Sequence, residues 1–553
     1  MGSETKIILN SESIQVFEGE FENPPDPERI IVGLRDTGYD FNTAVADIID
    51  NSISAQATRI DIIINISPTD DVTVYIVDNG VGMNDSGLMN AMKYGSKRRE
   101  DPSSLGKFGL GLKTASTAFC RKLSLISRDS SESAVIKAQW DLDYIAREGS
   151  WKMKFLRPSD DELDLLEGTA NGGSGTLVVW ENIDRLLVKA YIRHGDAVNA
   201  LKKIRESLAF HISAVYQRFV DHTDPRAVNI DITLDGKHIK PWDPFCTKEE
   251  KSELLADQKV EGTLPNGQKA FFSLRAYAIP RFSDFSCTDA AKSARITTDN
   301  EGFYIYRENR LIHYGDWLGM YVKDSHDSLL RVEFSFDNQL DDAFNVDIKK
   351  SKVSLNEQIY NFIRDQFMPA PRRTANMKYR KGIMAEVTMK SKDAHAASNR
   401  NIEEKASGVE SAKVTVTNAD ENEVEINNAN GTFKHKITIR GVETPGQYRV
   451  VLVDTLDGGG LWEPCIVEGH HAVLVNKNHP YYQKIYFPLL QESVLITGMD
   501  ALLWSLAESE LATFNTETKE VYEEVRYQVS RILKKLIIDL PDPSLQEDSS
   551  CES

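Results

Sequence analysis

Residues 46–52 read Ala-Asp-Ile-Ile-Asp-Asn-Ser, residues 78–82 Asp-Asn-Gly-Val-Gly, and residues 106–113 Gly-Lys-Phe-Gly-Leu-Gly-Leu-Lys. The first piece sits in a helical pattern. Phe41, Ala44, Val45, Ile48, Ile49 and Ile53 fall at i, i+3, i+4, i+7, i+8 and i+12, so one helix face is apolar. Asp47, Asp50, Asn51 and Ser54 make a polar stripe beside it. Asp47 and Asn51 are one turn apart and point the same way. A carboxylate beside a carboxamide can orient a water and hold a hard cation through oxygen. Taken alone, the same stripe reads more simply as a solvated helix face.

The second piece closes two strand patterns. Ile60, Ile62, Ile64 and Ile66 alternate, and Val72 to Val77 is apolar and β-branched, ending at Asp78. Gly80 and Gly82 mark a tight turn that lets backbone approach a ligand. A strand-end aspartate can accept a hydrogen bond from an exocyclic amine. The third piece has glycines at 106, 109 and 111 before a small-residue helical run to Ala118. Glycine-rich backbone entering a helix offers N–H groups to phosphate. It is neither a Walker A loop nor a G-x-G-x-x-G fingerprint.

In this order the pieces resemble the N, G1 and G2 boxes of the GHKL ATPases, the superfamily of gyrase B subunits, heat-shock chaperones, histidine kinases and MutL. Gly175-Thr176 before Leu177-Val178-Val179-Trp180 is similar to the fourth box. The G2 form looks most like the MORC and MutL side, as in stand-alone prokaryotic members. The resemblance implies an α/β Bergerat-fold ATPase domain, then a ribosomal-S5-like transducer domain, a linker and a C-terminal α/β domain. It implies ATP and Mg²⁺ as ligands. Asp47 takes the place of the general base and Asn51 that of the Mg²⁺ ligand. Asp78 and Thr176 would read adenine. Gly80 and Gly82 shape the turn, and Gly106, Lys107, Phe108, Gly109, Leu110 and Gly111 wrap the phosphates. Lys113 adds positive charge near them. One departure stands out: MORC, MutL and the chaperones carry Glu where this chain has Asp47, one methylene shorter, so hydrolysis is expected to be slow. Asp50 is the fallback base.

The 553 residues fit about three domains, and 41% hydrophobic with 27% charged residues fit a globular chain. The net charge of −19 argues against a surface basic throughout, so any nucleic-acid contact must be local. Five scattered cysteines show no zinc spacing and suit a reducing, cytoplasmic setting. No apolar run approaches the roughly 20 residues of a membrane span, and no signal-peptide core is present.

The expected layout is a lead-in over 1–40, the ATPase domain over 41–222, the transducer over 223–368, a linker over 369–433, a third unit over 434–540 and a disordered tail over 541–553. Residues 95–105 correspond to the lid. Strands are expected at 123–127, 134–140 and 176–180, and a long helix over 198–219. The transducer should hold strands at 228–234, 270–278, 302–306, 330–336 and 344–348. Asn345 to Val353 resembles the MutL segment Asn-Val-His-Pro-x-Lys, which puts Lys350 at the γ-phosphate, with Lys349 and Lys352 as neighbours able to take that role. Arg372 to Lys392 is basic and reads evenly as a contact for DNA or RNA phosphates or as a plain soluble linker; residues 398–430 turn polar and acidic and read as flexible.

In the third unit, strands are expected at 435–440, 448–454, 461–467 and 472–475. Helices follow, the last with Val521, Val525, Val529, Ile532, Leu533 and Leu536 as its apolar positions; helical pairs at this end often dimerise in the superfamily. His470, His471 and His479 lack zinc spacing and read as core or surface histidines. No D-Q-H-A-x-x-E-R segment supports a nuclease, and no phosphoacceptor helix supports a histidine kinase. The resemblance thus implies a homodimeric clamp closed by ATP at the N-terminal domain. Its setting would be DNA in a bacterial restriction or phage-defence operon with partner proteins. A chaperone-like ATPase and an ATP-switched scaffold are the alternatives.

Overall fold

The computed structural model describes residues 26–36, 38–93, 105, 111–187, 194–263, 269–341, 355–419, 421–428, 431–441, 446, 448–490, 492–513, 515–537 and 540. The chain is a mixed α/β protein with several sheets, as the pattern implied.

The first sheet carries the three pieces. Its strands are β1 (Arg59–Ile66), β2 (Val72–Asp78), β3 (Cys120–Arg128), β4 (Ile136–Asp141), β5 (Lys154–Leu156), β6 (Gly175–Ile183), β7 (Asp231–Leu234) and β8 (Lys237–His238), in the order β5-β4-β3-β6-β2-β1-β7-β8. The helices around it are α1 (Pro27–Arg35), α2 (Phe41–Ser54), α3 (Asp85–Met92), α4 (Gly111–Phe119), α5 (Leu142–Glu148), α6 (Asp160–Ala170), α7 (His194–Val215) and α8 (Gln217–Val220). The apolar face of α2 does what its period required. Ala44, Val45, Ile48 and Ile49 are fully buried with Ile60, Ile62, Ile64, Val74, Ile76 and Trp180. On the other face, Leu166 of α6 packs with Val77, Ile126, Leu177 and Val179.

The expected boundary at 222 falls early. Strand β7 pairs in parallel with β1, and Ile232 and Leu234 join the first core. Alternation identified the strand but not the sheet edge it would complete. The second sheet begins at β9 (Glu253–Thr263) and continues with β10 (Lys269–Ala278), β11 (Gly302–Arg307), β12 (Arg310–Asp316) and β13 (Leu330–Phe336), in the order β12-β11-β13-β10-β9. A short helix α9 (Thr288–Ser293) precedes β11, and α10 (Glu357–Phe362) leads into a π-helical turn at Ile363–Phe367. Ile363, Phe367 and Met368 close over Leu274, Phe303 and Phe334. The expected strand at 344–348 lies outside the described residues.

The linker reading does not hold. Residues 369–409 form α11 (Pro369–Ala394) and α12 (Ala396–Val409), and β14 (Ala412–Asn418), β15 (Glu423–Asn428) and β16 (Gly431–Lys436) make a three-stranded sheet. Composition misled because few apolar residues suffice. Ile402 and Ala406 bury one side of α12, and Val424 and Ile426 bury one face of β15. A four-stranded sheet of β17 (Thr438–Arg440), β18 (Val450–Val453), β19 (Trp462–Val467) and β20 (His470–Asn476) follows, then α13 (Ser493–Leu511) and α14 (Thr516–Leu536). Two of its histidines are held in the interior: His471 Nδ1 lies 2.6 Å from Glu508 Oε2 and His479 Nε2 lies 3.1 Å from Ser530 O. Among the described residues no group of His, Cys, Asp and Glu is arranged to hold a metal, and no helix is long and apolar enough to cross a membrane.

This order is open to proteolysis. Trypsin should spare Arg400 and Lys405 in the native chain, and Ile402→Ala should cost about 2–4 kcal/mol in urea unfolding and expose both sites. Rapid cleavage there in the unsubstituted chain would show that α12 is not formed.

Candidate functional site

Helix α2 sets one wall of the site. It starts where the Asp40 carboxylate accepts the Thr43 N–H, a cap worth about 1 kcal/mol. Asp47 is almost buried, and its Oδ2 accepts the Tyr39 hydroxyl at 2.9 Å. A Cβ built on Gly111, the first residue of α4, would stand 3.1 Å from that same oxygen. Glycine therefore lets the start of α4 lie against the carboxylate. Asn51 Nδ2 donates to Asp47 O at 2.9 Å. Only the amide nitrogen can donate to a carbonyl, so Oδ1 is turned away from it. That is the atom a hard cation would take, and the residue fits a Mg²⁺ ligand in this respect.

The opposite wall comes from strand register. The β2–β6 pairing sets Asp78 against Thr176. Asp78 Oδ2 accepts the Ser52 hydroxyl at 2.7 Å and Oδ1 accepts the Gly80 N–H at 2.9 Å. Burial pushes the Asp78 carboxyl above the usual carboxylate range, and these hydrogen bonds pull against it. Thr176 Oγ1 sits 2.9 Å from Ser127 Oγ, which also accepts the Met83 N–H at 2.9 Å. Ser52, Ser127 and Tyr39 were not singled out from the sequence; Ser52, next to Asn51 on the same helix, was the one with a visible signal.

The glycine turn is tight for a steric reason. A Cβ on Gly80 would come within 2.7 Å of Ala55 O. Gly82 has φ +63°, and its Cβ would strike Arg128 O at 1.9 Å. Gly106, Lys107, Phe108, Gly109 and Leu110 lie outside the described residues, as do Lys349, Lys350 and Lys352. Lys113, expected near the phosphates, is instead turned into the protein. Its ammonium donates to Ala91 O at 3.0 Å and Lys93 O at 2.6 Å, and burial lowers its pKa to about 8. Its partners are the open carbonyls at the end of α3.

Asp50 is not a spare base. It is 1% exposed, and its Oδ1 accepts Arg310 Nε at 2.8 Å and the Tyr216 hydroxyl at 2.8 Å. Arg310 comes from β12 of the second sheet. Burial opposes its charge, but Asp50 first, then Tyr216 and Asp47, hold its pKa above the usual arginine value. A second buried contact runs parallel to it: Arg218 of α8 lies 3.1 Å from Glu333 of β13 and stacks 3.6 Å from the Tyr306 ring centre. The first two sheets are therefore joined by charges out of water.

Residues 39–176 match the family described as histidine kinase-, DNA gyrase B-, and HSP90-like ATPase. That span runs from the tyrosine on Asp47 to the threonine facing Asp78. Over that stretch the chain is similar to the GHKL ATPases. The mouse (Mus musculus) protein ATPase MORC2B is 33% identical over 91 residues, which cover 15% of this chain and 9% of MORC2B. The chain thus spans a small part of that relative's length. A solved structure described as the N-terminal domain of a DNA repair protein aligns with 65% of this chain and 99% of its own at 16% identity and a TM-score of 0.38, a likeness too low to carry a fold assignment.

Two outcomes are expected from these buried charges. Arg310→Met should cost about 3–5 kcal/mol in denaturant unfolding, because Asp50 is left buried and uncompensated. Adding Asp50→Asn should recover part of that loss. Burial, with Arg310 nearby, draws His211 of α7 down to about 4 from the usual 6.5. Between those pH values the unfolded chain binds more protons, so stability is full above pH 6.5 and falls toward pH 4. His211→Gln should flatten that acid limb in thermal melts recorded across the window.

Proposed function

We propose that this chain binds ATP with Mg²⁺ between α2, the glycine turn after β2 and the start of α4, and hydrolyses it slowly. The observation that carries the reading is the two-walled geometry: Asp47 and Asn51 one turn apart on α2, and buried Asp78 against Thr176, inside a segment matching the ATPase family. Asp78 accepts the adenine amine and Asn51 Oδ1 takes the cation. Mg²⁺, when bound, offsets phosphate charge. Asp47 accepts the proton of the attacking water, held in orientation by Tyr39. Aspartate reaches less far than glutamate, which makes the step slow. The backbone of residues 106–111 takes the phosphates, and Lys350 reaches the γ-phosphate from the second unit.

ATP closes two copies of the chain into a clamp through their N-terminal domains, and hydrolysis opens it. DNA is the substrate we favour. Arg373, Arg380 and Lys381 on α11 are exposed, although Arg372 and Lys378 of the same stretch already bind Asp327 and Glu253. Hydrolysis stimulated by DNA, with stimulation lost steeply as salt rises, supports this choice. Stimulation by unfolded protein instead would mark a chaperone, and nucleotide-dependent dimerisation without turnover a scaffold.

Asp47→Asn should reduce turnover at least about 100-fold while ATP affinity changes less than about threefold. Unchanged turnover would remove Asp47 as the base. Asp78→Asn, which replaces an acceptor with a donor, should weaken ATP about 30-fold, roughly 2 kcal/mol. Since burial raises the Asp78 carboxyl, ATP affinity should begin to fall, on acidification, at a higher pH than the ordinary carboxylate range. Calorimetric titrations from neutral to acid pH check both.

A further inference from the structure

Arg218 with Glu333 and Arg310 with Asp50 both join the first two sheets out of water. For holding the sheets together the two pairs are equivalent; for the place of α2 they are not. Only Arg310 ends on that helix, at the residue lying between Asp47 and Asn51. Burial opposes the Arg310 charge, while Asp50, Tyr216 and Asp47 support it, so the candidate base lies within electrostatic reach of this guanidinium.

The tip of the β11–β12 hairpin delivers Arg310. Arg307 and Arg310 face each other across a two-residue turn, Glu308-Asn309, with φ +48° and +67°. Both turn residues are left-handed, as a type I′ turn requires. Asparagine tolerates that backbone well, whereas glutamate adopts it at a cost. Contacts on every side hold the tip in place. Arg307 makes two hydrogen bonds to Asp341, at 2.6 and 2.8 Å, with both side chains buried. Glu308 Oε1 accepts the Asn338 N–H at 2.9 Å. Asn309 donates to Arg226 O at 2.7 Å and accepts from Arg218 Nη1 at 3.1 Å. Arg307 and Glu308 thus tie the tip to the chain just after β13, and Asn309 and Arg310 tie it to the first sheet's helices and loops. A strained turn fixed at each residue is a rigid strut whose far end is Asp50.

We infer that Arg310 is a positioning residue for ATP hydrolysis: through Asp50 it fixes the rotation and height of α2, and with them the place of the Asp47 carboxylate against the attacking water. This role takes Asp47 as the base, as proposed above. A displacement of about 1 Å in a reacting group costs on the order of 100-fold in rate. Asp78 stands at the end of β2, opposite Thr176 of β6, and its place is set by that register rather than by Arg310. Loss of the strut should therefore slow the chemical step far more than it weakens ATP.

Two matched pairs of substitutions in the full chain test this. Asp50→Asn with Arg310→Gln removes the charges at α2 and keeps side chains able to hydrogen-bond; Arg218→Gln with Glu333→Gln does the same at the other joint. Circular dichroism and thermal melts set a temperature at which each variant is folded. Single-turnover hydrolysis reads the chemical step, and calorimetry with a non-hydrolysable ATP analogue reads affinity. The Asp50 and Arg310 pair should lower the single-turnover rate at least about 30-fold with affinity within about threefold, and the Arg218 and Glu333 pair should leave both within about threefold. Arg310→Lys keeps a charge beside Asp50 and should lose only about three- to tenfold in rate at unchanged affinity, which carries the test if the first pair does not fold. An unchanged rate in the first pair, or in Arg310→Lys when that pair does not fold, overturns the inference. Equal slowing by both pairs overturns it too, as does a loss of affinity that matches the loss of rate. Asp47→Asn run alongside separates the two levels. If it leaves turnover intact, the base assignment fails and the role of Arg310 with it; if it abolishes turnover while the Asp50 and Arg310 pair does not slow it, only the role of Arg310 fails.

Discussion

The ion pair between Asp50 and Arg310 is the constraint from which the rest of the site follows. Two groups 260 residues apart in the chain meet with almost no solvent between them. A guanidinium in that position is tolerable only while Asp50 is in reach, and Asp50 only while Arg310 is. Asp50 sits between Asp47 and Asn51 on α2. The helix that holds the candidate base and the candidate cation ligand thus cannot shift against the second sheet without exposing or orphaning a charge. Tyr216 tightens the joint by reaching both Asp50 and the Ala46 carbonyl.

The side proposed for adenine has a different support. Asp78 is held by Ser52, by Gly80 and by its place opposite Thr176, all within the first sheet and its own helix. The support of Asp78 is internal to one unit, whereas that of the helix carrying Asp47 and Asn51 is shared between two. A displacement of the second sheet would act on Asp47 and Asn51 well before it reached Asp78. The two walls of the candidate site thus rest on separate mechanical footings.

What could be read from the sequence was what is local. The period of Ala44 to Ile53 gave α2 and put Asp47 beside Asn51; the β-branched run ending at Asp78 gave β2. Thr176 was legible only through the resemblance of Gly175-Thr176 to a family box; the register that sets it against Asp78 belongs to the assembled sheet. Arg310 was not, since a buried long-range pair leaves no periodic trace. Lys113 was misplaced because a lysine after a glycine-rich loop has the same letters whether it faces a phosphate or a helix end. The polar stretch after residue 369 hid α12 and β15, whose burial rests on Ile402, Ala406, Val424 and Ile426. The edge that β7 completes depended on β1 lacking a second neighbour, which is a property of the assembled sheet.

Lys113 has one further effect. It stands in the first turn of α4 and holds the last carbonyls of α3. Residues 94–110, which contain most of the third glycine-rich piece, leave from one of those elements and return at the other. Their two attachment points are pinned together like the ends of a basket handle. The entropy of bringing those ends together is met by the lysine rather than by a bound nucleotide. The spacing between the end of α3 and the start of α4 is therefore set by the chain's own contacts.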